Sequence, residues 1–410
     1  MPSYLYLIIY MFFLFFSNII TKKIQGKYPK SILLPFGNFF IVSDKGINVY
    51  NPNFTLNISL YNFTGEEIIY NTEDFLQSKQ TVISKYIHNN NLYIFCLIKG
   101  SFLFIFDNNN YSLQKFNISN IDNVLYYNLI PYSYNDTTIE YIISYMNYIS
   151  SEKLYQINFF KYRLTHLNNE FKNEFISYNN FVDILKKKKD DDFELFLSCQ
   201  KISNYLDYNN YMICFYSEKK KKILRGTIFD IENNFTKINS TNYTYENYYL
   251  IDIVSSISNN NNIFICNNIY EDDDEYYTFF KTYCFLYDIQ NNMFVNKYIY
   301  NDFCYSIDVY FFLEINEFNL ICYVDKFDYE DYEAYYLDYD NKIKILKFNE
   351  NFSYFNNSNQ KEKTKNIDIS KCLEMNTFSL IYNENNYNLI SDCRENGEWY
   401  ISNNSNIIEV

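Results

Sequence analysis

Glycine and proline are scarce in this chain, at 7 and 5 among 410 residues. So few glycines leave little scope for backbone loops that cradle phosphates, and no GxGxxG, Walker or GxSxG pattern occurs. Histidine is scarcer, with only His88 and His166. Neither stands beside a Ser or Cys motif that would complete a triad, and both read as residues of polar loops or strand edges. Alanine occurs once, at Ala334, which argues against an α-rich protein because alanine is the strongest helix former. Positive charge is short too: 35 Lys and Arg face 49 Asp and Glu, for a net charge of −14. That balance excludes general nucleic-acid binding, which needs a basic footprint. No CxxC or Cys/His cluster supports zinc. The acidic stretches Glu271 to Glu275 and Asp325 to Asp340 lack the ligand alternation and turn glycine of an EF-hand loop, and read as solvated charge. No catalytic motif, cofactor or metal is expected.

The chain has aromatic and β-branched residues instead, including 47 Tyr and 39 Phe. Such residues suit packed strands. Residues 66 to 79 and 168 to 188 are the exceptions whose spacing could be helical. The Asn runs at Asn89 to Asn91, Asn108 to Asn110 and Asn259 to Asn262 read as loops or low-complexity inserts. Seven segments share one shape, a polar turn followed by a short apolar run that closes on Ser or Cys. They end at Ser43, Cys96, Ser144, Cys214, Cys266, Cys322 and Cys393. A strand precedes each, and one or two follow. Leu92 to Ile98 and Phe102 to Phe106 are almost continuously apolar, as in strands covered on both faces. Leu113 to Ile118 is more polar, as an outer strand should be.

The stretch LLPFGNFFIVSDKGINVYNPN resembles the cadence of many β-propeller blades: apolar run, Gly-Asn, strand, Gly, strand, Asn-Pro. It lacks the Trp-Asp dipeptide of WD40 repeats, the double Gly of kelch repeats and the Asp box of sialidases, so the resemblance gives an architecture and no functional family. It implies an all-β fold, a β-propeller of seven blades with about four antiparallel strands each. The blades would span residues 31–65, 80–120, 121–180, 190–240, 245–300, 301–355 and 366–410, in one domain over 26–410. Irregular β-sandwich domains are the alternative. The seventh unit runs short of strands, so it needs one from elsewhere or a stub at Ile407 to Val410.

Residues Tyr4 to Ile20 are apolar and precede Lys22 and Lys23. Residues 1–25 read as a signal peptide, with an uncleaved membrane anchor as the alternative and the only membrane contact. Four cysteine pairs at hairpin spacing suggest disulfides: Cys199 with Cys214, Cys266 with Cys284, Cys304 with Cys322, and Cys372 with Cys393. Cys199, Cys304 and Cys372 would lie on first strands, and Cys96 would remain a buried thiol. Sequons for N-glycosylation are headed by Asn53, Asn57, Asn62, Asn117, Asn135, Asn234, Asn239, Asn242, Asn351 and Asn403. Lys186, Lys187, Lys188 and Lys189 would enter the fourth blade, and Lys219, Lys220, Lys221 and Lys222 would lie in its second-to-third loop. With the acidic run of the fifth blade they would form a docking face of mixed charge. The expected protein is a secreted or cell-surface, disulfide-stabilised propeller that binds a protein or glycan partner. The alternative is a carbohydrate-active propeller enzyme using carboxylates in a central funnel.

Overall fold

The computed structural model describes residues 20–23, 30–34, 37–51, 55–64, 81–118, 127–135, 138–149, 154–167, 170–183, 195–202, 210–218, 223–245, 248–257, 262–272, 278–300, 304, 306–312, 317–324, 342–349, 367–368, 374–383, 386–395 and 398–408. Among the described residues there is no α-helix. The strands form seven four-stranded antiparallel sheets, six of them built from four strands consecutive in the chain. Stacked four-stranded meanders make a β-propeller. The chain divides into two compact units: residues 1–68 with 369–410, and residues 69–368.

The unit of residues 69–368 holds the second to sixth sheets. Their cores lie between successive sheets. On the second strand of the third sheet, Thr138–Ile149, Tyr141 and Ile143 pack against Phe95, Leu97 and Ile105 of the second sheet. Ile142 points the other way, toward Met212 and Phe229 of the fourth. The fourth sheet repeats the device. Met212 and Cys214 on Tyr211–Glu218 face the third sheet, while Ile213 and Phe215 face Ile265 and Phe285 of the fifth. Alternate side chains of one strand thus enter two different cores. This is why the runs are continuously apolar rather than alternating. Side chains also tie first strands of neighbouring sheets together. Cys199 N donates to Asn128 Oδ1 at 3.1 Å, and Asn128 Nδ2 donates to the Leu197 carbonyl at 3.2 Å. Gln200 Nε2 donates to the Ser255 carbonyl at 2.9 Å.

The unit that joins both ends of the chain holds the first and seventh sheets. In the first sheet Phe39–Ser43 and Gly46–Tyr50 are buried at every position, whereas the outermost strand, Leu56–Asn62, is mostly exposed. The seventh sheet is completed by Ile20–Lys23, which pairs antiparallel with Glu398–Ile408. The missing strand therefore comes from the end of the segment read as a leader, not from a stub at Ile407 to Val410. Gly46 has φ +151, and a Cβ there would lie 2.1 Å from the Tyr61 carbonyl oxygen. That atom belongs to a paired backbone and has nowhere to go. Gly46→Ala should cost roughly 3 kcal/mol by overpacking, measured as a fall in the urea midpoint.

Two of the Asn runs lie at turns, as the loop reading expects. Asn89 and Asn90 both have positive φ, 50 and 62, and close a two-residue hairpin that favours Asn because its side chain tolerates the left-handed region. Asn108 to Asn110 belong to a turn that recurs in three sheets. Asp107, Asp230 and Asp288 each accept at Oδ1 from a backbone N–H two or three residues on, at 2.9, 3.0 and 3.2 Å. The amides of Asn110, Asn233 and Asn291, three residues after each Asp, close the same carboxylate at Oδ2, at 2.8, 2.7 and 2.5 Å. A left-handed residue follows each: Tyr111, Asn234 and Asn292. Asn259 to Asn261 lie outside the described residues.

Three further expectations are corrected. Glu170–Asp183 is a strand paired with Leu154–Leu167, not part of a helix. The register slips between Lys161 and Tyr162, leaving one extra residue on the outer strand. That bulge turns a period of two into a locally helical spacing of Phe171, Phe175 and Tyr178. Residues 66 to 79 lie outside the described residues. The short strand Ile367–Asp368 pairs with Lys342–Asn349 and completes the sixth sheet, rather than opening the seventh. Cys304 precedes the first strand of the sixth sheet, Ser306–Phe312, instead of lying on it.

Candidate functional site: a pocket holding both histidines

The strand Thr81–His88 ends at the Asn89-Asn90 turn, which sets His88 opposite Asn91. In the third sheet the strand Leu154–Leu167 ends one residue after His166, and His166 stands opposite Phe171. These ends of neighbouring sheets enclose a cavity of about 180 Å³, bordered by His88, Asn89, Asn91 and His166 as its polar members. Ile139 and Leu164, both buried, supply the apolar part. Tyr93 and Phe171 complete it and meet edge to face at 5.6 Å.

The two imidazoles differ in setting. His88 is buried and stacks on Tyr86 with ring centroids 6.2 Å apart. Its Nε2 lies 3.5 Å from the Asn89 amide nitrogen. His166 is exposed and tilts over Phe171 at 5.1 Å. Asn91 Nδ2 donates to the Tyr93 hydroxyl at 3.2 Å, and its Oδ1 accepts from Asn109. The pocket therefore offers imidazole and amide hydrogen-bonding groups around aromatic and aliphatic surface. This is the make-up of a site for a small polar molecule. The sequence reading missed the convergence. Its signal was that each histidine is followed within three residues by an Asn pair, in His88-Asn89-Asn90 and His166-Leu167-Asn168-Asn169.

A buried ionic cluster lies between the third and fourth sheets. Tyr132, Glu140 and Arg163 are in register across three strands. Tyr132 Oη donates to Glu140 Oε2 at 2.7 Å, and Lys161 Nζ lies 2.8 Å from the same oxygen. Arg163 reaches Glu140 Oε1 through Nη2 at 2.7 Å and Nε at 3.0 Å. From the fourth sheet, Lys201 Nζ sits 4.7 Å from the Tyr132 ring centroid. Burial pushes the Glu140 carboxyl up, but hydrogen bonds from Lys161, Tyr132 and Arg163 outweigh it and hold the group below the usual carboxylate range. Burial lowers Lys201. A general acid of a glycosidase needs its proton held at neutral pH by a raised pKa. Glu140 is tuned the opposite way and acts as a clamp across strands.

Disulfides join Cys199 to Cys214, Cys266 to Cys284 and Cys304 to Cys322. In the first two pairs the cysteines stand directly opposite on neighbouring strands. Cα separations in the three bonds are 4.1, 4.2 and 5.0 Å. Cys96 is buried and takes no part in these three bonds. Cys372 lies outside the described residues, and Cys393 is on Asn386–Glu395 of the seventh sheet.

Of the sequon asparagines, Asn57, Asn62, Asn117, Asn135, Asn234, Asn239 and Asn242 are exposed, Asn403 lies on Glu398–Ile408, and Asn53 and Asn351 lie outside the described residues. The runs Lys186 to Lys189 and Lys219 to Lys222 also lie outside them. The strands flanking these runs are Leu195–Ile202 and Tyr211–Glu218, and Leu195 pairs with Glu218. Of the acidic run, Glu271 and Asp272 close the second strand of the fifth sheet. Among the described residues, no three His, Cys, Asp or Glu side chains are grouped to hold a metal ion.

No protein-family model matches the chain, and no curated protein matches it in sequence. Solved structures are similar to it at very low identity. The chain is similar over 89% of its length to 80% of Saccharomyces cerevisiae Sqt1, at 9% identity and a TM-score of 0.45. It is similar over 79% of its length to 93% of the alpha-L-arabinanase of Penicillium chrysogenum, at 9% identity and a TM-score of 0.43. It is similar over 93% of its length to 97% of the WD40 domain of SCAP from fission yeast, at 10% identity and a TM-score of 0.36. The functional reading accordingly rests on this chain's own residues.

Proposed function

We propose that the chain is a binding module of the secretory pathway or cell surface, a disulfide-stabilised propeller that takes a protein or glycan partner. The observation that carries this reading is the set of three disulfides, two of them each between facing strands of one sheet and the third from the residue ahead of the sixth sheet's first strand to its second. Such bonds form and persist in oxidising compartments and are rare where glutathione keeps thiols reduced. Among the described residues, no helix is long and apolar enough to cross a membrane. The two-histidine pocket supports a ligand site of small, polar specificity.

Two measurements test the two halves of the reading. Protein recovered from its own cells and alkylated without reductant should label at most three of its nine cysteines, since six are in disulfides. Labelling of all nine would remove the compartment argument. A glycan array probed with the full chain should give signals that fall at least about tenfold in a His88→Ala/His166→Ala variant, as when buried polar recognition is lost. Equal signals from both proteins would move the site away from this pocket.

A further inference from the structure

We propose that the outermost strands of the first, second and fourth sheets carry N-linked glycans, at Asn57, Asn62, Asn117, Asn239 and Asn242, and that these glycans block pairing at the sheet edges. The inference rests on the secretory reading, because glycan transfer to Asn-x-Ser/Thr requires entry into that pathway.

The five asparagines lie on three strands, Leu56–Asn62, Ser112–Asn117 and Thr236–Thr244. Each is the fourth strand of its sheet and, among the described residues, pairs with another strand on one side only. An outer strand presents a row of unpaired backbone groups, a template on which another chain can add. Lys115, Lys237 and the bulges in Leu56–Asn62 and Thr236–Thr244 guard these edges only in part. Leu56–Asn62 and Thr236–Thr244 are exposed on both faces along most of their length. Large apolar side chains stand in the open between the sequons: Leu56 at 45% exposure, Ile58 at 39% and Ile238 at 43%. All five asparagine side chains are exposed. Asn239 and Asn242, three residues apart on one strand, point to opposite faces. A glycan on each would close that edge from both sides. Asn135 and Asn234 are exposed as well but sit at a strand end and in a turn, away from the edge.

The outer strands of the third and fifth sheets, Glu170–Asp183 and Met293–Tyr300, contain no sequon. They expose Phe175, Tyr178 and Val182, and Met293, Val295 and Ile299. Glycans are thus expected as a pattern over particular edges rather than as a uniform coat.

The test uses protein purified from its own cells. Peptide mass spectrometry after glycan release in heavy-oxygen water marks each occupied asparagine, and thiol alkylation of the same sample reports the disulfides. The expected result is occupancy at all five outer-strand positions together with blocked cysteines. Blocked cysteines with these five asparagines unmodified would overturn the glycan proposal and leave the secretory reading standing. Nine free thiols with no glycan anywhere would overturn both. A variant with all five asparagines changed to Gln, made in the same cells, tests the edge role. It should keep its disulfides but form several-fold more aggregate by size-exclusion chromatography. A variant that stays as monodisperse as the parent would refute edge shielding.

Discussion

Replacing Glu140 with glutamine is expected to destabilise the unit of residues 69–368 by about 3 kcal/mol, the usual cost of leaving a buried ionic partner uncompensated. Glu140 has no exposed side-chain surface, and its partners Lys161 and Arg163 are 10% and 30% exposed. Glutamine keeps the shape and removes the charge, so the two cations lose their counterion while staying largely buried. The exposed Glu232→Gln is the matched control and should change stability by less than about 0.5 kcal/mol. Urea denaturation of both variants, followed by tryptophan-independent circular dichroism, reads the difference. The same cluster predicts a pH dependence. The folded Glu140 carboxyl titrates below its unfolded value, so its stabilisation is complete above the unfolded carboxylate pKa. It is lost as pH falls through the lower, folded value. Acid denaturation of the parent protein should therefore contain a component that Glu140→Gln lacks.

The second large effect concerns the cysteines. Cys199→Ala combined with Cys214→Ala should cost roughly 3 kcal/mol, the chain-entropy value for a loop of about 15 residues. Cys266→Ala with Cys284→Ala should cost a similar amount. The cysteines of all three bonds are at most 4% exposed. Reductant should therefore open them only as the sheets unfold, and native protein in dithiothreitol should hold its disulfides long after an unfolded control has lost them. Rapid reduction without loss of structure would mean that these sulfurs are accessible.

Particular residues show what the sequence could and could not reveal. The second strands were legible because their alternate side chains enter two cores, which leaves an unbroken apolar run such as Tyr93 to Ile98. The partners in the three bonds were legible because a hairpin returns the chain to a neighbouring strand at a predictable separation, while Cys372 lies outside the described residues. The Asn runs at 89–91 and 108–110 were legible as loops, but their turn type was not, because the left-handed tolerance of Asn leaves no mark in composition. Only the spacing of Asp107 to Asn110, Asp230 to Asn233 and Asp288 to Asn291 hinted at a repeated turn. The strand at Ile20–Lys23 was hidden because its partner lies at the other end of the chain. The Glu140 cluster and the two-histidine pocket were hidden for a related reason. Each depends on strand register and on which sheet follows which, and neither is fixed by local pattern.

The central claim is that each staple closes within one sheet, two between facing strands and the third from Cys304, ahead of the sixth sheet's first strand, to its second strand. Cys266, Cys284, Cys304 and Cys322 share a single buried cluster between the fifth and sixth sheets, so incorrect partners are within the same core and the pairing is a sharp test. Peptide mapping of the non-reduced protein measures it directly. The account predicts linked peptides joining Cys199 to Cys214, Cys266 to Cys284 and Cys304 to Cys322. A link between sheets, such as Cys266 to Cys322, would contradict it.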